Sequence, residues 1–324
     1  MRMADFLRIS WSGPGDALIQ PPRFSPVLAD PSFLFPSETA SGDWELFAHS
    51  AWGIHRYSST DGLDWHDRGI VVRNAMRPFI RRLDLADGPA YCLLHESYRP
   101  LALPMTVLPV RPRWRSRLAA STSRDLALWS RRENLLEPDL DWMRDARLGD
   151  SLSNPCLVQA GPGDWRLYFS ASLVWLPDCG FCEPRYIGMA RAPSPLGPFV
   201  PEALPLIDPS IQVGGAELGA GSMKVLTLDD GYIGLQNRIY RDAAGSSRSA
   251  IFILRSGDGK AWQAVSELPL IAPSSGWMSS HVYACDCRFD AASGLWYLYF
   301  NARDGWGLSS GAKERIGRIV GRLG

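Results

Sequence analysis

Three dipeptides draw attention first: Asp30-Pro31, Arg77-Pro78 and Asn154-Pro155. Glu217, within Gly215-Ala216-Glu217-Leu218-Gly219, and His281, within Ser280-His281-Val282-Tyr283, extend the set. Two carboxylates can donate and accept protons at a reacting bond. A guanidinium can hold a phosphate or a carboxylate through two parallel hydrogen bonds. Taken singly, each residue has a plain structural explanation, since Asp-Pro and Asn-Pro start turns. They become a site only if the chain between them folds to bring them together.

The elements that would do so are short strands. Period-2 alternation dominates and long 3.6-residue periodicity is missing, which reads as an all-β protein. One strand recurs five times, beginning at Trp44, Ala90, Trp165, Tyr232 and Trp296, each after a turn such as Gly161-Pro162-Gly163-Asp164. A following strand begins at Ile54, Leu118, Ile187, Phe252 and Ile316, positions 64 to 69 residues apart. Three of these run into a turn and a tryptophan, as in Asp61-Gly62-Leu63-Asp64-Trp65. The repeat predicts a five-bladed β-propeller with antiparallel blades of three to four strands, forming a single domain over residues 1–324. A blade cannot bury both faces alone, so the alternating Trp, Leu and Phe are expected to pack between blades. A strand near Phe6–Ile9 is expected to pair with the chain's last segment, Ser309–Gly324, and close the ring. The proline-rich stretch from Tyr98 to Trp114 reads as a long insertion in the second blade.

In a propeller the starts of the innermost strands converge on one mouth of the central channel. Asp30, Arg77, Asn154, Glu217 and His281 would then face one another. The next strand is antiparallel, so its end returns to the same mouth with His49, His95-Glu96, Asn237-Arg238 and Asn301-Ala302-Arg303.

With blade rhythm over nearly the whole chain and these motifs at the strand starts, the sequence resembles the five-bladed propeller glycosidases. The resemblance is chiefly to glycoside hydrolase family 43, with its relatives in families 32, 62 and 68. It implies Asp30 as the general base that activates water, Glu217 as the general acid, and His281 as support for an axial ion or water. No other cofactor and no metal ligand set is expected. Asn154 stands where that family has an aspartate; it can hydrogen-bond a sugar hydroxyl but cannot raise the acid's pKa by like-charge repulsion. Asp150 could supply the missing carboxylate if its loop folds inward. Arg77, His95 and Arg238 near the mouth, with Asn154 and His281, make up the expected substrate contacts. The arginines also resemble those of family 130 phosphorylases, which bind inorganic phosphate. The implied activity is hydrolysis of a small glycoside. A phosphorylase, an enzyme of acidic sugars and a catalytically silent sugar- or protein-binding propeller are the alternatives.

Composition narrows the partners. With 34 Lys+Arg against 34 Asp+Glu the chain is neutral, which argues against non-specific nucleic-acid binding. No apolar run approaches the ~20 residues of a membrane helix. The first residues lack a signal-peptide core, so the expected compartment is cytoplasmic. Cys179-Gly180-Phe181-Cys182 and Cys285-Asp286-Cys287 could in principle give four thiolates to zinc. The pairs lie about a hundred residues apart and alternate strand residues give C-x-C for free, so they read as buried or loop cysteines.

Overall fold

The computed structural model describes residues 1–105, 112–209, 217–307 and 311–324, leaving aside the side chains of 104 and 105. Five four-stranded antiparallel blades follow in order. Blade one is Ala29–Leu34, Trp44–Ser50, Gly53–Ser59 and His66–Arg73; blade two is Ala75–Leu85, Gly88–Tyr98, Trp114–Ser123 and Glu133–Leu136. Blade three is Leu152–Gly161, Asp164–Leu176, Phe181–Ala192 and Val200–Pro201. Blade four is Glu217–Leu228, Gly231–Arg241, Ser247–Ser256 and Gln263–Ala264. Blade five combines His281–Asp290, Leu295–Arg303 and Glu314–Leu323 with Ile9–Trp11 from the other end of the chain.

That last pairing closes the ring, with Ile9 opposite Leu323 and Trp11 opposite Gly321. The closing strand begins at the end of the stretch expected for it. Phe6 instead ends a single helical turn, Met3–Phe6, and is buried edge-on against Trp296 with ring centroids 5.0 Å apart.

Alternation along each strand builds the core. In blade one, Phe33 and Leu46 pack with Tyr299 and Ile316 of blade five. Their neighbours Leu34 and Phe47 point the other way, onto Ile80 and Leu93 of blade two. A period of two thus sends consecutive residues into two different interfaces. Burying each such side chain stabilises the fold by about 1.5–3 kcal/mol.

The recurrent turn has a specific job. Asp61 Oδ1 accepts from the backbone N–H groups of Leu63 and Asp64 at 2.8 and 2.9 Å. Asp125 and Asp258 repeat the pattern in blades two and four. The tight turn then clips onto the preceding blade of the ring. Gly62 O accepts from Tyr299 OH at 2.7 Å, and Gly259 O accepts from Tyr168 OH at 2.9 Å. Glycine is required at 259, because a Cβ there would lie 2.5 Å from that hydroxyl in a backbone with φ +75°.

Blade two carries the main elaboration. Between Tyr98 and Trp114 the chain makes a helical turn, Ala102–Met105, and the rest of that stretch up to residue 111 lies outside the described residues. A second excursion forms the ribbon Arg144–Asp145 with Gly149–Asp150, which lies parallel against Trp114 and Arg115.

Candidate active site

Each innermost strand carries a bulge at the same height. The register with the second strand slips between Ala29 and Ser32, Met76 and Phe79, Ser153 and Cys156, Gly219 and Ser222, and Val282 and Cys285. The first residues of these bulges are Asp30, Arg77, Asn154, Ala220 and Tyr283. Asp30, Arg77 and Asn154 have φ of 54°, 56° and 48°. The left-handed region costs an L-residue roughly 1–2 kcal/mol, although Asp and Asn tolerate it better than Arg. This conformation recurs at three ring positions that carry polar side chains.

Asp30, Arg77, Asn154 and Tyr283, with Gly221 and Ser222 in place of Ala220, line a cavity of about 400 Å³ at the axis. Asp30 is its centre. Its Oδ1 accepts from Asn154 Nδ2 at 2.7 Å, its backbone N–H donates to Asn301 Oδ1 at 3.1 Å, and its Oδ2 lies 3.3 Å from His49 Nδ1. Burial raises its pKa, while the positive charges of Arg77 and Lys224 and the Asn154 hydrogen bond favour the carboxylate. Arg77 forms a very short ion pair with the fully buried Glu96, whose other oxygen accepts from Trp114 Nε1 at 3.0 Å. Burial alone would lower the Arg77 pKa, but Glu96, Asp30 and Glu183 carry it upward. His49 is pushed down to about 3 by burial and by Arg77, so it is neutral.

Two further carboxyls reach the cavity. Glu183 enters from the third strand of blade three, where it pairs in register with Val174. Burial pushes its pKa up to about 8; Arg77 opposes this, and Glu314 and Asp30 reinforce it. Glu314 opens the third strand of blade five and binds Arg303 Nη1 at 3.2 Å. Its pKa is also raised by burial, against the pull of Arg303. Two buried polar atoms at the cavity, Asn154 Oδ1 and Tyr283 OH, have no hydrogen-bond partner among the described residues. The rim adds apolar surface, with Phe24 78% and Trp52 47% exposed.

Of the residues singled out from sequence, the structure brings Asp30, Arg77 and Asn154 together here with His49, Asn237, Asn301 and Arg303 from the second strands, and leaves Glu217, His281, His95, Arg238 and Asp150 outside the lining. Glu217 is half-buried and faces Arg238, with Nη1 3.4 Å from its Oε1; burial raises its pKa. Arg238 lies over the Phe252 ring. Glu217 falls two residues before Gly219, ahead of an additional register shift, so the ring position of blade four goes to Ala220. His281 is fully buried one layer behind Tyr283, its ring stacked on that of Tyr283 at 5.3 Å. Its nitrogens face Ser280 Oγ at 3.0 Å and Cys179 Sγ at 3.7 Å, and burial pushes its pKa down to about 3. The ring is therefore not aimed at the axis, where an ion or water would have needed it. His95 is buried elsewhere, with Nδ1 3.3 Å from Glu96 O. Asp150 sits between Arg113 and Arg115, at 3.3 and 4.0 Å, in a separate groove.

Sequence reasoning missed Glu183, Glu314 and Tyr283. Antiparallel order was the available signal, because third strands run the same way as first strands and also begin at the mouth. Counting back from the second strand would likewise have placed Tyr283, rather than His281, at the bulge.

The fold has many counterparts among solved structures. An N-acetylgalactosamine deacetylase from F. plautii, in complex with blood group B trisaccharide, superposes with a TM-score of 0.62 at 12% identity, covering 97% of this chain and 95% of that one. A thermostable family-43 glycoside hydrolase gives 0.57 at 13%, covering 90% and 88%. A family 117 glycoside hydrolase of the marine bacterium Zobellia galactanivorans gives 0.58 at 14%, covering 98% and 90%. No protein-family model matches the chain, and no curated protein sequence matches it. The protein has the propeller fold shared by these glycoside hydrolases and the deacetylase.

Proposed function

We propose that this propeller is a carbohydrate-active enzyme that hydrolyses a small glycoside, with Glu183 as general acid and Asp30 as the carboxylate that activates water. One observation carries the reading: a single cavity holds two buried carboxyls, Glu183 and Asp30, with different partners. Burial keeps Glu183 protonated up to about pH 8. Burial raises the pKa of Asp30 too, but the Lys224 charge and the hydrogen bond from Asn154, beside Arg77, favour its ionised form. Acid–base cleavage of a glycoside requires one carboxyl protonated and the other ionised, and Asp30, with its hydrogen bond from Asn154, is assigned the ionised role. Asn154 Oδ1 and Tyr283 OH supply an acceptor and a donor for sugar hydroxyls, and Phe24 and Trp52 offer ring faces at the rim. In this reading Glu183, from a third strand, takes the role that the family 43 resemblance assigned to Glu217. Glu217 keeps a place beside Arg238 outside the cavity.

Leaving-group dependence tests the assignment. Glu183→Gln should lose ~10²–10⁴ in kcat/KM on an alkyl glycoside, yet keep most activity on a dinitrophenyl glycoside whose leaving group needs no proton. Asp30→Asn should lose activity on both. Wild-type activity should fall as pH rises through about 8, where Glu183 ionises. Equal losses on both substrates for Glu183→Gln would remove it as the acid. A second reading, a sugar-binding propeller without catalysis, is favoured by Ala220 at the blade-four ring position. It predicts sugar binding that Asp30→Ala abolishes, with no turnover in any form. Turnover only with added phosphate, lost in Arg77→Ala, would instead mark a phosphorylase.

A further inference from the structure

A second and larger concavity, about 880 Å³, lies on the outer side of blade two, bordered by the end of blade one and the 137–150 excursion. Its charge is lopsided. Arg73, Arg99, Arg131 and Arg132 line it, and among the described residues none has a carboxylate within 4.0 Å. Three further arginines are paired, loosely for the most part: Arg115 Nε is 4.0 Å from Asp150, Arg144 Nη2 3.8 Å from Asp139, and Arg117 Nη1 3.0 Å from Glu137. Seven cations thus face three anions, in a chain whose formal net charge is zero.

The floor of the groove is the telling part. Arg132 is half-buried and held by neutral oxygens only: Arg73 O at 2.7 Å, Ser97 Oγ at 2.8 Å and Asn74 O at 3.3 Å. Burial lowers its pKa, and the charge of Arg117 lowers it further. Above it, Arg115 and Arg117 stand two residues apart on Trp114–Ser123, hence on one face of the strand. Like charges crowded into a concavity focus the field there and attract a counter-charge.

We propose that this groove is a second ligand site that takes an acidic oligosaccharide, its carboxylate or sulfate groups paired with the arginines along the groove. The arginines come from several segments of the lining, at 73, 99, 115–117, 131–132 and 144, which suits a chain with a charge on successive sugars. A single-stranded nucleic acid would need exposed aromatic faces for its bases. Tyr98 in the groove is buried, and Trp129 is only partly exposed, its Nε1 donating to Leu126 O. The saccharide part of this assignment rests on the function proposed above, whereas the anion part rests on the groove itself.

Calorimetric titration of the full chain tests it with four probes: tetragalacturonate, galactotetraose, inorganic sulfate and an eight-residue oligothymidylate. Tetragalacturonate should bind at least tenfold more tightly than galactotetraose and weaken as salt rises. Arg73→Gln/Arg131→Gln should weaken it by about tenfold or more, as expected for lost charge-assisted hydrogen bonds. Neither side chain has a partner among the described residues, so this variant should fold as the parent does. Asp30→Asn should bind tetragalacturonate unchanged, which separates the groove from the axial cavity. An unchanged affinity in the double variant, or equal binding of galactotetraose, would overturn the proposal. Tighter binding of the oligothymidylate, or of sulfate alone, would overturn the saccharide assignment. Absence of glycoside hydrolysis in the parent protein, with intact groove binding, counts against the catalytic reading only.

Discussion

The axial cavity and the blade-two groove are both rich in arginine, but they use it differently. In the cavity each arginine has its own carboxylate: Arg77 with Glu96, Arg303 with Glu314. Charge there is nearly cancelled, and what is left over is protonation, with Glu183 held neutral by burial. In the groove the cations outnumber the anions and stand mostly in water. The difference teaches that an arginine count says little by itself. Burial with a partner turns a charge into scaffolding, whereas exposure without one leaves it available to a ligand.

Breaking a pair in each region should expose the contrast. Glu96→Gln leaves Arg77 buried beside half its counter-charge, and removing one partner of a buried pair costs about 3–5 kcal/mol. Urea unfolding followed by tryptophan fluorescence should show a loss of that order; a loss under 1 kcal/mol would mean that the cavity charges are not structural.

A smaller effect should follow pH. Glu183 has a folded pKa of about 8 against an ordinary value of 4.5, so the folded state binds the extra proton between these values. Its contribution to stability is therefore full below about pH 4.5 and is lost as pH rises towards 8. Glu183→Gln should match the parent at pH 5 and exceed it at pH 8.5 by about 2 kcal/mol, a figure reduced from the full shift because the side chain is partly exposed. Parallel stability curves across that range would show that the carboxyl is not held neutral.

The smallest effect belongs to the groove. Arg117 and Glu137 are 43% and 44% exposed, so Glu137→Gln should change stability by less than about 1 kcal/mol. It should nevertheless tighten tetragalacturonate binding, since it removes an internal competitor for Arg117. Weaker binding in that variant would reverse the role given to the groove's cations.

Much of the fold was legible without coordinates. The recurrent strands at Trp44, Trp165 and Trp296, and the Asp-Gly turns before Trp65 and Trp262, name the blades because alternation and turn chemistry are local properties. Asp30, Arg77 and Asn154 were legible too, since a proline after each marks the bulge that aims it. Blades four and five have Ala220-Gly221 and Tyr283-Ala284 at that height instead. With no proline to mark the register, the nearest polar residues, Glu217 and His281, stood in for the ring, and a slip of two or three residues carried both out of the cavity lining. The arginines of the 113–117 stretch were visible as a pattern, but their groove was not, because it depends on the 137–150 excursion folding back against Trp114.

Sequence alone determined the blade rhythm, the turns and three members of the ring, each a matter of neighbours within a few residues. Only the tertiary structure decided that Glu183 and Glu314 join Asp30, and that burial keeps one of them protonated. Those facts depend on which strand ends meet at the axis and how much water is left there, and both follow from blades packing around a ring.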